Sequence, residues 1–137
     1  MSNTACCRVE LLIHTSRKYQ VIDITSQVAE AVNKASISDG LCHVYVAHTT
    51  AAITINEKAD PNIGVDLVDA LNRLIPEGVW QHDKIDDNGA AHIKASIIGP
   101  GETIPVRNGQ LLLGTWQAVM LVEFDGPRTR QLVVSVL

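Results

Sequence analysis

The chain of 137 residues lacks several features that would each point to a particular class of protein. Basic residues are not in surplus, because eleven Lys and Arg stand against fifteen Asp and Glu, giving a net charge of −4. We therefore expect no nucleic acid as partner, since a phosphate backbone is bound by basic stretches. No apolar run approaches the roughly 20 residues that cross a bilayer, and no signal-peptide layout is present, so we expect a cytoplasmic protein without membrane contact.

Cysteine is scarce as well. Cys6, Cys7 and Cys42 are the three cysteines, and they form neither an even set nor a CxxC spacing. Such a pattern favours reduced thiols over a disulfide or metal role. The composition, 46% hydrophobic and 19% charged, is that of an ordinary folded protein. At this length one core is expected, so we predict a single domain over residues 1–137.

The first half of the chain alternates strand and helix patterns. "CRVELLIHTS" and "YQVIDIT" are short β-branched runs that predict a first hairpin. A period of three and four then predicts a helix with apolar positions Val28, Ala31, Val32 and Ala35, which begins at Thr25 or Ser26 as N-cap. After two more strand-like runs, a second helix is predicted with the apolar face Ile63, Leu67, Leu71 and Leu74.

From Ala91 onward the sequence predicts only strands, beginning with "AHIKASIIG". The Asn108–Gly109 pair is a strong signal for a tight hairpin turn. Two helices inserted among many strands predict an α+β domain, a mostly antiparallel β-sandwich. Several strands are apolar on both faces, which is typical of sheets packed against each other or buried by neighbouring subunits. We therefore expect the sandwich to oligomerise.

His48 is the first candidate for a functional residue. In a regular strand His48 and His43 point to opposite faces, and only His48 lies at the strand end, followed by Thr49 and Thr50. Threonine hydroxyls and backbone N–H groups at such a point could bind an anion. The alternative is a strand end at which the threonines satisfy local backbone groups.

A second candidate is the segment "HDKIDDNGAAH", residues 82–92. His82, Asp86, Asp87 and His92 supply nitrogen and oxygen ligands that zinc and similar ions accept, and His48 could be the third histidine. The spacing matches no standard metal motif. A solvated loop with a tight Asn88–Gly89 turn is the alternative interpretation.

A third candidate surrounds the turn after residue 124. Glu123 is a carboxylate on an apolar strand, so it needs a partner if buried. Arg128 and Arg130 are two residues apart and on the same side of an extended chain, where they could clamp a phosphate. An ion pair with Glu123 or Asp125 is the alternative.

These segments together resemble the YjbQ-like family, whose members are named secondary thiamine-phosphate synthases. The resemblance rests on "HTTAAITINE", "DNGAAHIKASIIGP", "IPVRNGQLLLGTWQ" and "EFDGPRTRQ", and covers nearly the whole chain. It implies a homotrimer with a site near subunit contacts, in which His48, His82 and His92 are ligands of a divalent metal such as zinc. It also implies that further residues surround this site, namely Thr49, Thr50, Asn56, Asp87, Asn88, Gln117, Glu123, Arg128 and Arg130.

The resemblance implies a transferase that joins a pyrimidine diphosphate to a thiazole phosphate. The expected catalytic residues are His48, Glu123, Arg128 and Arg130, with the ligand a small phosphorylated molecule. Against this, the sequence has no Gly-rich phosphate loop and only five aromatic rings for stacking on a pyrimidine. Two alternatives follow: a non-enzymatic trimer that binds a metal or an anion, and a phosphoester hydrolase of other specificity.

Overall fold

The protein is described as a computed structural model in which residues 7–137 are placed; Cys6 lies outside the described residues. The elements follow the expected α+β class, with mostly antiparallel strands. They are, in chain order, β1 (Cys7–His14), β2 (Gln20–Asp23), α1 (Thr25–Ala35), β3 (Gly40–Val46), β4 (Ala51–Glu57), α2 (Asn62–Leu74), a 3₁₀ turn (Gln81–Lys84), α3 (Gly89–Ile98), β5 (Gly101–Arg107), β6 (Gln110–Leu111), β7 (Gln117–Glu123) and β8 (Thr129–Val136).

Two antiparallel sheets are stacked against each other. The large sheet has the order β1-β8-β3-β5-β6 and the small sheet has the order β2-β7-β4. Alternation in β3 buries Cys42, Val44 and Val46 between the sheets. From the small sheet, Ile53 and Leu121 pack into the same core. The sandwich architecture is therefore confirmed.

Strand β7 is buried on both faces. Its residues from Ala118 to Glu123 are all buried, although only alternate ones can face the large sheet. Val122 packs instead with Ala91 of α3 and Leu71 of α2, which cover the outer face of the small sheet. A strand between a sheet and a helix layer can be apolar throughout, and this explains the pattern seen in the sequence.

The predicted first hairpin is wrong. Strand β1 pairs with β8 in the large sheet, whereas β2 pairs with β7 in the small sheet. The segment between them crosses from the large sheet to the small sheet, where β2 becomes an edge strand beside β7, as β1 is beside β8. The second predicted hairpin is present: Arg107 pairs with Gln110, and Asn108 and Gly109 have φ of 54° and 74°, the two positive values of a type I′ turn.

The predicted strand over residues 91–99 is also wrong, because residues 91–98 lie in α3, and residues 7–137 contain three α-helices rather than two. Alanine has the highest helix propensity, and Ala90, Ala91 and Ala95 let α3 pack closely on the small sheet. Lys94 on the same face is buried, with its ammonium 4.8 Å from the Tyr19 ring centre. Burial lowers the pKa of Lys94.

In the first two helices, the buried residues largely match the apolar positions predicted from the sequence. Val28, Ala31 and Val32 of α1 are buried as predicted. The N-cap of α1 is Ile24 rather than Thr25 or Ser26, and its side chain caps nothing; the carboxylate of Asp23, one residue earlier, accepts the backbone N–H and the hydroxyl of Thr25.

In α2 the predicted apolar face is only partly buried. Leu71 is buried, whereas Leu74 is 76% exposed and Ile75 is buried after the helix end. The chain leaves the helix at this point, so the last predicted apolar position faces outward. Among the described residues, no helix is long and apolar enough to cross a membrane.

The difference within α2 gives a test of the packing. Leu71→Ala should lower the free energy of unfolding by about 2–5 kcal/mol, because it leaves a cavity beneath the helix. Leu74→Ala is the matched control and should change it by no more than about 0.5 kcal/mol. Urea unfolding at one protein concentration measures both, and equal losses would show that Leu74 is buried in an assembly.

Candidate functional site

A polar cavity of about 380 Å³ brings together most of the residues singled out in the sequence. Three segments form it: the loop after β3, the residues around the start of α3, and the turn between β7 and β8. The lining residues are Ala47, His48, Thr49, Thr50, Asp86, Asn88, His92, Arg128 and Arg130.

His48 is held by a backbone group near the beginning of β8, an interior strand of the large sheet. The backbone N–H of Gln131 donates to its Nε2 at 2.9 Å, and the N–H of Ala47 donates to the Gln131 carbonyl at 3.0 Å. Because the Nε2 lone pair accepts this bond, the proton of the neutral ring lies on Nδ1. Burial, then the charge of Arg130, lowers the pKa of His48. The ring is thus a neutral N–H donor at neutral pH.

Arg130 and Glu123 form a buried ion pair behind the cavity. The guanidinium Nε donates to Glu123 Oε1 at 2.9 Å, Nη2 donates to Oε2, and the side chains are 1% and 0% exposed. Nη2 also donates to Thr50 Oγ1 at 2.8 Å, and Thr15 donates its hydroxyl to Glu123 at 2.7 Å. Because removing two charges from water offsets much of their attraction, such a pair adds little net stability, but here it fixes the position of the Thr15 and Thr50 segments.

Arg128 is held by a different carboxylate. Its Nη2 donates to Asp125 Oδ2 at 3.0 Å and its Nε donates to the Asp125 carbonyl at 2.8 Å. Asn88 Nδ2 donates to the same Asp125 oxygen at 2.8 Å. Asp125 therefore connects the β7–β8 turn to the start of α3. Both arginines therefore form the ion pairs of the alternative interpretation, and both also line the cavity, whereas the phosphate clamp stays a prediction.

The start of α3 is organised by Asp83. Its carboxylate accepts the backbone N–H groups of Trp80 and Gly89, at 3.0 and 2.8 Å, and these bonds lower the pKa of Asp83. Gly89 is the first residue of the helix, after Asn88, so the predicted tight turn is wrong. A Cβ at Gly89 would lie 2.8 Å from Trp80 Cβ, so no larger residue fits.

His82 and His92 lie against each other at this helix start. Their ring centres are 4.5 Å apart, with planes at 72°. His82 Nε2 lies 3.6 Å from Asp86 Oδ2, beyond hydrogen-bond distance, and has no hydrogen-bond partner within residues 7–137. The "HDKIDDNGAAH" segment is therefore an exposed stretch over residues 84–87 followed by the buried start of α3, and Asp86, Asn88 and His92 from it line the cavity.

The three histidines do not form the expected metal ligand set. Among the described residues no group of three or more His, Cys, Asp or Glu is placed to hold an ion. His48 is unsuitable because its Nε2 accepts the Gln131 N–H, whereas a ligating nitrogen needs a free lone pair. The side chains as arranged do not fit a three-ligand metal, and metal binding stays a prediction of the resemblance.

Some of the other expected residues lie elsewhere. Asn56 and Gln117 are at the far end of the small sheet, where Asn56 accepts the N–H of Glu57 and Gln117 accepts the N–H of Gly114. Asp87 lines a separate small cavity beside Asp83. Within one chain these residues do not join the cavity. Sequence reasoning missed Thr15, Asp83 and the positioning role of Asp125. Thr15 and Asp125 act on the distant residues Glu123 and Asn88, whereas Asp83 accepts backbone N–H groups only three and six residues away.

Fold and cavity together define a small α+β protein of two stacked antiparallel sheets, with a polar cavity at one end of the sandwich. The model of the family described as "UPF0047 protein YjbQ-like" matches residues 9–137. The chain belongs to this family.

Relatives span nearly the whole chain. A UPF0047 protein of Methanocaldococcus jannaschii is 42% identical over 125 residues, covering 91% of this chain and 90% of its own. YugU of Bacillus subtilis is 39% identical, with coverage of 93% and 96%. The crystal structure of a YbjQ-like protein of Sulfolobus solfataricus has a TM-score of 0.93 at 38% identity, covering 96% of each chain.

These comparisons correct the expected activity. The relatives carry the family designation without a reaction, and the Sulfolobus solfataricus protein is described as being of unknown function. The expectation of a transferase of the thiamine-phosphate synthase type, drawn from the resemblance alone, is therefore wrong as an assignment for this chain. What remains is the chemistry of the cavity itself.

The buried ion pair gives a test of stability. Glu123→Gln keeps the side-chain shape but leaves the Arg130 charge unbalanced, so the free energy of unfolding should fall by about 3–5 kcal/mol. The same substitution at Glu30, whose ion pair with Lys34 is exposed, should change it by at most about 0.5 kcal/mol. Chemical denaturation followed by circular dichroism compares the two. Similar small effects would show that the buried pair stabilises the fold no more than the exposed one.

The bond to His48 Nε2 predicts one tautomer. Two-bond ¹H–¹⁵N correlation spectra at pH 7 should show the His48 proton on Nδ1, and titration should give a pKa below the ordinary value of about 6.5. Because the folded-state pKa is lowered, the stability contributed by the neutral ring is present above pH 6.5 and is lost as pH falls through the folded pKa. A proton on Nε2 at pH 7 would contradict the arrangement.

Proposed function

We propose that the cavity binds a small phosphorylated molecule and that the protein acts as a binding module. The observation that supports this most directly is that segments about 80 residues apart place His48, Thr49, Arg128 and Arg130 around one cavity. All four are hydrogen-bond donors, and two carry a fixed positive charge. Arginine is the preferred residue for phosphate oxygens, because its planar donors match their geometry.

The arginines remain able to donate although each is paired. Hydrogen bonds within residues 7–137 use Nε and Nη2 of Arg130, which leaves Nη1 for a phosphate oxygen. Arg128 is 52% exposed and is fixed at one edge of its guanidinium by Asp125. Both guanidinium groups are thus positioned before a ligand arrives, which lowers the entropic cost of binding.

Size and charge favour a small ligand over a polymer. The volume of about 380 Å³ lies within the range of roughly 300–1,000 Å³ that is typical of small-molecule sites. With a net charge of −4 the chain offers no extended basic surface for a nucleic acid. The donors line one cavity together, whereas a nucleic acid is held by basic groups spread along its backbone.

The expected homotrimer also stays a proposal. Apolar side chains on the outer face of the large sheet support contacts between copies, since Leu12, Leu41 and Tyr45 are 63%, 48% and 42% exposed. Burying such side chains is favourable by roughly 25 cal/mol per Å² of apolar area. The outer face of a sheet, unlike its inner face, is free to pack against another subunit.

Binding of inorganic phosphate and of ethyl phosphate tests the proposal, measured by calorimetry in the presence of a chelator. Arg128→Ala should weaken binding about tenfold, equivalent to about 1.4 kcal/mol, because one charge-assisted contact is lost. Arg107→Ala is the matched control, because Arg107 is exposed on β5 and outside the cavity, and should leave affinity unchanged.

Two outcomes would contradict the proposal. If neither anion binds the wild-type protein, the cavity is not a phosphate site. If both arginine variants lose affinity equally, binding is a general effect of charge rather than of this cavity. Binding that appears only when a divalent metal is added would support the metal site that the resemblance implies, in place of the metal-free arrangement proposed here.

A further inference from the structure

Strand β1 is an edge of the large sheet and lacks most of the protection that edge strands have. It pairs with β8 over all 8 of its residues in one unbroken register, and no described strand lies on its other side. It contains no Pro, and its core-facing, odd-numbered residues are apolar. Proteins keep edge strands from pairing with other chains by short length, proline, a bulge, an inward charge or exposed charges. Strand β1 has only the last of these, on Arg8 and Glu10, and their signs are opposite.

The other edges of the two sheets are short or covered. Strand β6 has 2 residues and β2 has 4, so each offers few backbone groups to a partner. Strand β4 is covered, because α3 packs beside it and the N–H of Ile53 donates to the Gly99 carbonyl at 3.1 Å. Among the described residues, β1 is therefore the long edge that remains open.

The backbone of β1 alternates between its two sides. The N–H of Thr15, directly after the strand, donates to the Arg128 carbonyl on the β8 side at 2.8 Å, so the odd-numbered residues bond to β8. The even-numbered residues direct their N–H and C=O groups away from the sheet, namely Arg8, Glu10, Leu12 and His14. The side chains of these four residues are exposed. A partner strand would thus bond to the residues that also carry the charges.

The core is incompletely closed along the same edge. Val9 and Leu11 face the inside of the sandwich but are only partly buried, whereas Val44 and Val46 on the central strand β3 are fully buried. A strand added beside β1 would place its own inward side chains next to Val9 and Leu11. Such an addition removes apolar surface from water, which favours pairing.

We infer that β1 pairs with β1 of a second copy of this chain, antiparallel about a two-fold axis at Val9. This register places Arg8 opposite Glu10 of the partner and Glu10 opposite Arg8 of the partner, which gives two pairs of opposite charge. Within residues 7–137 neither residue is in an ion pair, so both are free for this contact.

The charges also select this register over its neighbours. Because only even-numbered residues can bond across the edge, the next register on one side places Arg8 opposite Arg8. The next register on the other side places Glu10 opposite Glu10. Like charges directly opposite each other are unfavourable, and larger shifts in that direction leave Arg8 without a carboxylate opposite it.

The contact is separate from the outer face of the large sheet and from the cavity. It uses backbone groups of an edge, so it can combine with the proposed trimer, and it predicts assemblies of two or six protomers. Val9 lies opposite Val134 of β8, whereas the cavity residue Arg130 lies opposite Ile13 near the other end of β1. The inference therefore stands or fails independently of phosphate binding.

Charge reversal tests the inference, with sedimentation equilibrium over a range of protein concentrations. Arg8→Glu or Glu10→Arg alone places like charges in both pairs and should raise the dissociation constant of the two-fold contact about tenfold, halving the mass at intermediate concentration. The double variant, with both charges exchanged, should regain the wild-type mass. Glu30→Arg on the exposed side of α1 is the matched control and should leave the mass unchanged. Circular dichroism checks that each variant is folded.

Three results would overturn the inference. A wild-type mass of one or three protomers at every concentration would leave this edge unpaired or to a different occupant. A mass that stays even-numbered and unchanged in both single variants would place the two-fold contact elsewhere. Loss of mass in a folded double variant would show that the charges of Arg8 and Glu10 do not face each other across the axis.

Discussion

The buried ion pair between Glu123 and Arg130 is the interaction on which the rest of the site depends. Glu123 ends β7 in the small sheet, and Arg130 lies near the start of β8 in the large sheet. Their hydrogen bonds therefore join the two sheets at the end of the sandwich where the chain crosses between them. Thr15, after β1, and Thr50, before β4, bond to the same pair. Four segments converge on one charge pair, and the cavity opens directly beside it.

Around this pair, residues outside the cavity orient the side chains that line it. Gln131 fixes the tautomer of His48, and Asp125 fixes both Arg128 and the amide of Asn88. Asp83 sets the start of α3. Fixed orientation reduces the entropy lost on binding, and it also decides which atoms are donors and which are acceptors. The chemical selectivity proposed for the cavity follows from these supporting residues as much as from the residues that line it.

The family assignment and the site chemistry answer different questions. Close agreement with solved relatives shows that the sandwich is shared, with a TM-score of 0.93 over 96% of the chain. It does not supply a reaction, because a fold can support many functions and function depends on the particular site. The histidines illustrate this point. All three were expected as metal ligands, yet a backbone hydrogen bond occupies His48 Nε2 and leaves that ring as a hydrogen-bond donor through Nδ1.

Local sequence pattern determined a large part of the fold. Period and turn chemistry were sufficient for α1, for β4 and for the Asn108–Gly109 hairpin, because these depend on residues close together in the chain. Residue chemistry also indicated His48, Arg128 and Arg130 as candidates, and the fold brings these three side chains to one cavity. The motifs taken together were sufficient to predict the YjbQ-like family, to which the chain belongs.

Only the tertiary structure decided which segments meet. Strand β1 pairs with β8 and β2 with β7, and no local signal distinguishes this from a hairpin, because partner choice depends on burial in distant sheets. The alanines of α3 were misread as strand because their close packing on β7 could not be seen in the sequence. Partners such as Thr15 and Asp125 act on residues far away or on another segment, so the orientation of each donor and acceptor was fixed by packing rather than by sequence pattern.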